Sequence, residues 1–371
     1  MGKRILLMYI SLNSGHHRAS LGLEKAIHQL SPEATLTSIN ALHYTHPLLE
    51  RIVKKSYLSL LRVCPQVWDY LYDRPGVVRG TQPFRYFLSQ FNFRKLKALL
   101  EEFKPGAVAC TQAFPCGMVA DYKKATGARL PLVGILTDYY AHSYWLADQV
   151  DYYVVPSDRA RERLRLEGVP EKRILPYGIP IDPIFCQQTD RGQMFQKIGF
   201  DPGTPVLLLM GGSHGFGPLA QLTERIYRSS LKVQLMVVCG KNETLFRRLS
   251  RQAARLQEKV RVFGFVENVN ELMEITTCLI TKPGGITTAE ALAKGLPMIL
   301  LNPIGGQETA NAEFLLKEGI AVKARHPSEV LSLVQDLLEH PVKLMEMRRS
   351  TERQRRPASA LELAEKLLSI A

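Results

Sequence analysis

Two glycine-rich turns in the second half of the chain have residue types that can bind a phosphorylated ligand. The first, Gly211–Gly217, follows the apolar run Val206–Met210, and the second lies in the segment Gly284–Glu290. Glycines allow backbone N–H groups to approach an anion, and the helix that follows adds partial positive charge at its N-terminus. Tight turns between strands and helices also need glycine for geometry alone. The first turn by itself therefore favours phosphate binding and a structural role about equally.

Polar side chains accompany and follow the second turn. Thr287 or Thr288 is predicted to cap the next helix, and Glu290 lies about one turn inside that helix. A carboxylate there suits the helix dipole, but it can also accept two hydrogen bonds from the hydroxyls of a ribose. Gln307 and Glu308 come after the next predicted strand, at the edge where open α/β sheets bind ligands.

Candidate acid–base residues occur in the first half. The turn after the first predicted strand contains His16 and His17, and an imidazole titrates near neutral pH, as a general base must. A helix-capping or surface histidine is the structural alternative. Asp138 follows another predicted strand, and His142 and Trp145 lie in the aromatic segment after it. An aspartate at the end of a strand is also a common turn former.

Alternating strands and helices position these residues, and they predict two doubly wound, Rossmann-like α/β domains that face a central cleft. Strands are predicted at Ile5–Tyr9, Thr35–Ile39, Ala107–Thr111, Leu132–Leu136, Tyr152–Val155, Val206–Met210, Gln234–Cys239, Val260–Phe263, Cys278–Thr281, Met298–Leu301 and Ala321–Val322. Helices are predicted at His17–Gln29, Pro115–Thr126, Asp158–Glu167, Pro218–Ser229, Asn242–Gln257, Val269–Thr276, Thr287–Lys294, Ala310–Glu318 and Pro357–Ile370. The predicted organisation is an N-terminal domain at 1–180, a linker at 181–203, a C-terminal domain at 204–355 and a C-terminal helix at 356–371.

Composition narrows the class of protein. The 371 residues suffice for two domains, and no stretch approaches the roughly 18–20 apolar residues that span a bilayer. The six cysteines are scattered without a Cys-x-x-Cys pair, and four lie among apolar neighbours, which predicts reduced core cysteines in the cytosol rather than disulfides or a zinc site. The net charge of +13 favours a phosphate-bearing partner of some kind.

A long insertion, residues 44–104, concentrates basic and apolar residues. Residues 45–104 hold 11 Lys and Arg against 5 Asp and Glu, interleaved with aliphatic and aromatic side chains. This pattern suits docking at an anionic bilayer surface. It also suits an amphipathic helix that packs on the core and leaves a basic face in water. No nucleic-acid-binding motif accompanies it.

Several motifs in order resemble glycosyltransferase family 28, and within it the diacylglycerol glycosyltransferases, which include monogalactosyldiacylglycerol synthase and the processive glucosyltransferases. The motifs are Gly211-Gly212-Ser213, Pro283-Gly284-Gly285 with Glu290-Ala291-Leu292, and Gly306-Gln307-Glu308 with Asn311. The resemblance covers nearly the whole chain. It implies the GT-B fold and a UDP-sugar donor, with no metal and no other cofactor.

The resemblance also implies roles for individual residues. Those implied to bind the donor are Gly211, Gly212, Ser213, His214, Gly215, Phe265, Val266, Gly284, Gly285, Thr287, Glu290, Gln307 and Glu308. The Gly211–Gly217 loop would bind the diphosphate, and Glu290 would bind the ribose hydroxyls. The main chain at Phe265-Val266 would contact the uracil. The family's Gly-His-Arg-Ala-Ser sequence maps its functional histidine onto His17, not His16, while Ser14 and His16 stand where the family has glycines.

The acceptor side is implied in the same way. Either His17 or Asp138 is the implied catalytic base, and Gly15, His142 and Trp145 are implied to shape the acceptor pocket.

The sequence is thus expected to encode an inverting UDP-sugar hexosyltransferase that acts on the 3-hydroxyl of 1,2-diacylglycerol in glycolipid biosynthesis. It is expected in the cytoplasm, bound peripherally to the anionic inner face of the cell membrane and not to nucleic acid. Glucose, galactose and N-acetylglucosamine remain open as the donor sugar. The alternatives are transfer to another lipid-linked acceptor of the peptidoglycan-precursor type, a GT-B-fold UDP-sugar epimerase, and a non-enzymatic basic binding module.

Overall fold

A computed structural model describes residues 2–12, 14–45, 93–254, 259–303 and 305–371. The chain divides into two compact units. The first comprises Met1–Pro183, Gly305–Ala310 and Ala358–Ala371, and the second comprises Ile184–Ile304 and Asn311–Pro357. Most of the basic insertion, residues 46–92, lies outside the described residues, and so does the prediction that this stretch docks on a membrane.

The first unit is built on a six-stranded parallel sheet in the order β2-β1-β3-β4-β5-β6. Its strands are β1 (Arg4–Tyr9), β2 (Thr35–Asn40), β3 (Ala107–Cys110), β4 (Leu132–Ile135), β5 (Tyr152–Val154) and β6 (Ile174–Leu175). The central strands are buried along their whole length, as continuous apolar runs require when helices cover both faces of a sheet.

Helices cover both faces of this sheet. In the first unit they are α1 (Gly15–Leu30), α2 (Ala41–Thr45), α3 (described at 93–103), α4 (Ala113–Thr126), α5 (Asp158–Leu166) and, near the end of the chain, α14 (Ser359–Ile370). Leu363, Ala364 and Leu367 of α14 pack with Leu23 and Ile27 of α1 in one core cluster. The predicted C-terminal helix thus contributes core residues to the first unit.

The described end of the basic insertion is amphipathic. In α3, Leu96, Leu99 and Leu100 are buried in the core, while Arg94 and Lys95 are exposed. Over these residues the structure has the packed helix with a solvated basic face, which was one of the two interpretations of the sequence.

The second unit repeats the architecture with a parallel sheet in the order β12-β11-β10-β7-β8-β9. Its strands are β7 (Val206–Met210), β8 (Gln234–Val238), β9 (Val260–Phe263), β10 (Cys278–Thr281), β11 (Met298–Leu300) and β12 (Ala321–Lys323). Its helices are α6 (Arg191–Ile198), α7 (Leu219–Arg228), α8 (Glu243–Ala253), α9 (Val269–Glu274), α10 (Gly285–Ala293), α11 (Gly306–Lys317, which begins in the first unit's residues), α12 (Val330–Glu339) and α13 (Pro341–Gln354). Short 3-10 helices lie at Ser143–Trp145, Glu171–Arg173, Pro183–Cys186 and Pro327–Glu329.

The two predicted doubly wound sheets are confirmed, but some helix positions were wrong. α10 begins at Gly285 with Gly284 as its N-cap, so Thr287 and Thr288 lie inside the helix and do not cap it. α11 begins at Gly306, four residues before the predicted Ala310. The prediction missed this first turn because its polar residues, Gly306-Gln307-Glu308, show no apolar periodicity. α2, α6, α12, α13 and the two-residue strand β6 were not predicted; α6 lies in the predicted linker.

The described cysteines agree with the prediction. Cys110, Cys116, Cys239 and Cys278 are buried free thiols, and Cys186 is exposed. Burial raises the pKa of the Cys239 thiol to about 11 and that of Cys278 to about 12. These two thiols therefore stay protonated at neutral pH, as core residues do.

A partly buried ion pair joins α4 to the residue just before β5. The Lys123 ammonium, 5% exposed, donates to the Asp151 carboxylate and to the Gln149 carbonyl, and Asp151 also accepts from the Leu132 N–H at 2.7 Å. Asp151→Ala leaves the ammonium buried without its counter-ion. We expect a loss of about 2 kcal/mol in the free energy of unfolding in urea, less than for a fully buried pair because Asp151 is 42% exposed.

The matched control is Glu101→Ala. Its partner Lys97 lies 3.7 Å away, and both side chains are largely in water. That substitution should cost less than about 0.5 kcal/mol. Equal losses for the two variants would contradict the structural role assigned to Lys123 and Asp151.

Candidate active site

The turn between β1 and α1 is tightly hydrogen-bonded. Ser11 has a positive φ of 63°, which a non-glycine residue rarely adopts. The Ser14 hydroxyl lies 2.7 Å from the Ser11 carbonyl oxygen, and its oxygen accepts from the His17 N–H at 3.3 Å. Ser14 therefore caps α1, at a position where the resemblance leads us to expect a glycine.

His16 lies at the carboxyl ends of β3 and β4. Its Nδ1 is 2.9 Å from the Thr111 carbonyl oxygen and 2.8 Å from the Thr137 hydroxyl. Thr111 also donates from its own hydroxyl to the His16 carbonyl at 2.9 Å. Both threonines are buried, so the imidazole is held from two neighbouring strand ends.

These contacts select the protonation state of His16. A carbonyl oxygen only accepts, so Nδ1 carries the hydrogen that is donated to Thr111, and the lone pair is on Nε2. Burial lowers the pKa of His16, while the Asp138 carboxylate and the bond to Thr111 oppose that shift. No described residue forms a hydrogen bond with Nε2 of His16, and a half-buried imidazole that is neutral at pH 7 has the form a general base requires.

His17, the histidine favoured by the sequence, has different surroundings. Its ring lies against Tyr9, with 4.5 Å between ring centroids and a 40° tilt. The structure thus brings His16 to Thr137 and Asp138, and it places His17 beside an aromatic ring of β1. The resemblance assigned the base to His17 and gave His16 no role; the hydroxyl residues Thr111 and Thr137 at two strand ends were the available signal for the contacts of His16.

The three residues implied for the acceptor pocket differ in their exposure to solvent. Gly15 is exposed as the first residue of α1, and His142 is 9% exposed. Trp145 is 4% exposed and belongs to the core cluster of the first unit, with its carbonyl accepting from the Tyr153 hydroxyl at 2.9 Å. The indole of Trp145 therefore contributes to the core.

In the second unit, the Gly211–Gly217 loop is closed by its own backbone. The N–H of Gly215 donates to the Gly212 carbonyl at 3.1 Å, and that of Phe216 donates to the Gly211 carbonyl at 2.9 Å. A Cβ on Gly211 would overlap the Phe216 carbonyl oxygen, and one on Gly215 would overlap that of Cys239. These two glycines are required by the fold itself.

Two N–H groups of the loop are not used in this closure. Within the described part of the chain, the backbone N–H groups of Gly212 and Ser213 donate no hydrogen bond, whereas the Ser213 carbonyl accepts from Lys241 at 2.9 Å. The loop therefore presents two adjacent backbone donors, with the Ser213 hydroxyl beside them. His214 is exposed, and its ring stacks on Phe216 at 5.6 Å.

Gly284 differs from the loop glycines. Its φ of −76° is open to any residue, and a Cβ placed on it has no atom within 4 Å. The fold therefore does not require glycine here, and the open space lies at the N-terminus of α10. Glu290 lies in the second turn of this helix, 6% exposed, while Gly285 and Thr287 are half-buried in its first turn.

Asn311 fixes the turn that contains Gly284. It is fully buried, and its side-chain amide donates to the Pro283 carbonyl at 3.0 Å. In the same region, the Thr281 hydroxyl donates to the Met210 carbonyl at 3.0 Å, which joins β10 to β7 just before both glycine turns. The sequence motif contained Asn311, but this positioning contact was not foreseen.

The remaining donor candidates lie at two other places. Phe265, 43% exposed, follows β9 beside the half-buried Val266, and the Lys241 ammonium sits 5.2 Å from its ring centroid. Gln307 and Glu308 are half-buried in the first turn of α11, where the Glu308 N–H donates to Gly305 at 3.0 Å. These two belong to the segment Gly305–Ala310, which groups with the first unit.

Two sequence families match the two halves of the chain. The monogalactosyldiacylglycerol (MGDG) synthase family matches residues 16–181, and the glycosyltransferase family 28 C-terminal domain matches residues 206–364. A processive diacylglycerol beta-glucosyltransferase from Bacillus cytotoxicus is 32% identical over 366 residues, which is 98% of this chain and 93% of that one. The protein of the same name from Bacillus subtilis is 32% identical over 349 residues, which is 94% and 90% of the two chains.

Solved structures share the fold. MurG from Acinetobacter baumannii superposes with a TM-score of 0.66 at 16% identity, covering 99% of both chains. The UDP-GlcNAc 2-epimerase of Neisseria meningitidis, bound to UDP-GlcNAc, gives a TM-score of 0.62 at 16% identity over 99% of this chain and 100% of that one. The fold is GT-B, and this chain shares it with MurG and with a UDP-GlcNAc 2-epimerase.

Proposed function

The chain belongs to the diacylglycerol glycosyltransferase group of glycosyltransferase family 28, and from this membership we propose that it moves a hexose from a UDP-sugar to the 3-hydroxyl of 1,2-diacylglycerol with inversion. The observation that carries the proposal is the relationship, over 98% of the chain, to proteins named processive diacylglycerol beta-glucosyltransferases. Their name makes glucose the first sugar to test.

The second unit supplies the donor site in this proposal. The N–H groups of Gly212 and Ser213 bind the diphosphate, Glu290 accepts hydrogen bonds from the ribose hydroxyls, and the main chain at Phe265 and Val266 contacts the uracil. The space beside Gly284 leaves room for the nucleotide at the N-terminus of α10, where the helix dipole favours negative charge. Gln307 and Glu308 face the transferred sugar, and no metal takes part.

The first unit supplies the base. Nε2 of His16 takes the proton of the lipid hydroxyl while that oxygen forms a bond to the anomeric carbon of the sugar. The bond from this carbon to the β-phosphate oxygen breaks, and its electron pair leaves with UDP. Attack on the face opposite the leaving group inverts the anomeric configuration. Thr111 and Thr137 hold the imidazole, and Asp138 stabilises the imidazolium that forms.

A membrane acceptor requires contact with a bilayer. In the described part of the chain, no helix is long and apolar enough to cross a membrane. We propose peripheral binding to the anionic inner face of the cell membrane, supported by the net charge of +13 and by the concentration of basic residues at 45–104.

A substitution at Gly284 tests whether this glycine is needed for UDP binding or for folding. Gly284→Ala costs only about 1 kcal/mol of stability, the difference between glycine and alanine as a helix N-cap. We expect it to weaken UDP binding at least about tenfold, because the added methyl group enters the space assigned to the nucleotide. Isothermal titration calorimetry with UDP measures this.

The control for that variant is Ser157→Ala. Ser157 caps α5 in the first unit by accepting from the Ala160 N–H at 3.2 Å, so its loss has a similar effect on stability without touching the second unit. UDP affinity should stay unchanged in this control. Unaltered UDP affinity in Gly284→Ala would place the nucleotide elsewhere.

The proposed reaction is tested by supplying UDP-glucose, UDP-galactose and UDP-N-acetylglucosamine, each labelled in the sugar, to the protein with diacylglycerol vesicles. Label is expected in one lipid product, resolved by chromatography. A parallel assay replaces diacylglycerol with a lipid-linked precursor of the peptidoglycan type. Label that enters only this second lipid supports the rival acceptor. A UDP-sugar epimerase would instead convert the donor without labelling lipid, and it would stay in the supernatant when vesicles are sedimented.

A further inference from the structure

Lys282 lies directly against the loop that contains the two backbone donors. It follows β10, and its Cε is 3.2 Å from the position of a Cβ built on Gly212, which places the end of the side chain over that glycine. The strands β10 and β7 are paired up to Thr281 and Met210, so the two segments leave the same edge of the sheet side by side. The fold thus places the end of the Lys282 side chain against Gly212, one of the two residues whose N–H groups donate no hydrogen bond within the described part of the chain.

The side chain also borders a cavity of about 220 Å³ in the second unit. Gly217 and Asn302, which follows β11, are among the residues that line this cavity. Leu301 and Phe216 supply apolar walls. The volume suits a small group such as a phosphate with part of a sugar. Among the described residues that line the cavity, the polar ones are positively charged or neutral, and none carries a carboxylate.

The leaving group needs more than two neutral donors. As the sugar departs, negative charge grows on the β-phosphate oxygen, and preorganised charge in a partly dry site stabilises it more than charge in water does. Backbone N–H groups carry only partial charge, whereas an ammonium carries a full one, and hydrogen bonds to charged groups are the stronger kind. A lysine beside the loop adds this charge without a metal.

We propose that Lys282 binds the diphosphate of the donor and stabilises the departing UDP, acting together with Gly212 and Ser213. This inference rests on the proposed UDP-sugar site. Lys282 belongs to none of the donor contacts that the sequence motifs implied. It distinguishes nucleotides that carry a diphosphate from the nucleoside alone.

The test compares the wild-type chain with Lys282→Met, which keeps the length of the side chain and removes its charge. Calorimetry with UDP and with uridine is expected to show UDP affinity at least about tenfold weaker in the variant and uridine affinity changed less than about twofold. Lys282→Arg should recover part of the UDP affinity. Sugar transfer is expected to fall in kcat beyond the effect on KM, because the charge is needed most as UDP leaves.

Lys323→Met is the matched control. Lys323 is an exposed residue on the edge strand β12 of the same sheet, and its loss should leave both affinities unchanged. Equal UDP affinity in Lys282→Met and the wild type would overturn the inference, and so would equal weakening of UDP and uridine. If the wild type itself fails to bind UDP, the proposed function fails instead, and the two failures are therefore distinguishable.

Discussion

Replacing His16 by alanine is expected to lower the rate of sugar transfer about 10²- to 10⁴-fold while leaving the affinity for UDP within about twofold of the wild type. The proton of the lipid hydroxyl would have no acceptor, whereas the Gly211–Gly217 loop of the second unit, proposed to bind the diphosphate, keeps its structure. Initial rates with diacylglycerol vesicles at saturating donor, together with UDP calorimetry, measure the two effects separately.

His17→Ala is the matched control, because the two histidines are adjacent and both substitutions remove the same ring. His17 packs against Tyr9, so we expect a change in rate below about threefold and a small loss of stability. The opposite ranking, with His17→Ala inactive and His16→Ala active, would restore the assignment made from the sequence and contradict the geometric one.

The pH dependence follows from the lowered pKa of His16. Protonation disables the base, so the acidic limb of the kcat/KM profile should lie below the ordinary histidine pKa of about 6.5. The Asp138 charge raises the pKa of His16 against the effect of burial. Asp138→Asn is therefore expected to move the limb to still lower pH. A limb that moves upward would show that Asp138 does not act on the base in this way.

Glu290→Gln is expected to weaken UDP binding about 10- to 100-fold. A carboxylate accepts from two ribose hydroxyls, whereas an amide of nearly the same volume offers one acceptor and loses the charge. The side chain is 6% exposed, so water replaces the lost contacts poorly. Calorimetry with UDP and with 2′-deoxy-UDP separates this role from a structural one.

The deoxy nucleotide provides the decisive comparison for Glu290. The wild type should bind UDP more tightly than 2′-deoxy-UDP, and the variant should lose most of that preference. Glu267→Ala, at an exposed position close to Phe265, should keep the preference. If Glu290→Gln weakened both nucleotides equally, the carboxylate would be stabilising the helix and not recognising the ribose.

The fold was largely predictable because its signals are local. Apolar runs such as Val206–Met210 have no polar residue to face water, so they predict buried parallel strands, and the glycine turns mark where those strands end. The helices that were not predicted lack a clear apolar pattern in their sequences. α13 has the sequence Pro341–Gln354, in which polar residues outnumber apolar ones, and only tertiary packing reveals its buried face.

The site was less predictable, for reasons of geometry. Neighbouring residues on a helix point about 100° apart, so the choice between His16 and His17 decides which ring meets Thr111 and Thr137. The resemblance mapped the functional histidine onto His17, but nothing in the sequence shows that His16 is the residue that contacts the two strand ends. Likewise, Gly215 and Gly284 are indistinguishable as sequence letters. Only the atoms around each show that one is needed by the fold and the other leaves space.

The most direct test of the central claim is the anomeric configuration of the lipid product. The wild-type chain is incubated with UDP-glucose, an α-linked donor, and with vesicles of diacylglycerol in anionic phospholipid. The extracted glycolipid is then examined by proton NMR. The account predicts a β-linked glucosyl group on the 3-hydroxyl of diacylglycerol. An α-linked product, or UDP-glucose consumed without sugar entering the lipid, would contradict it.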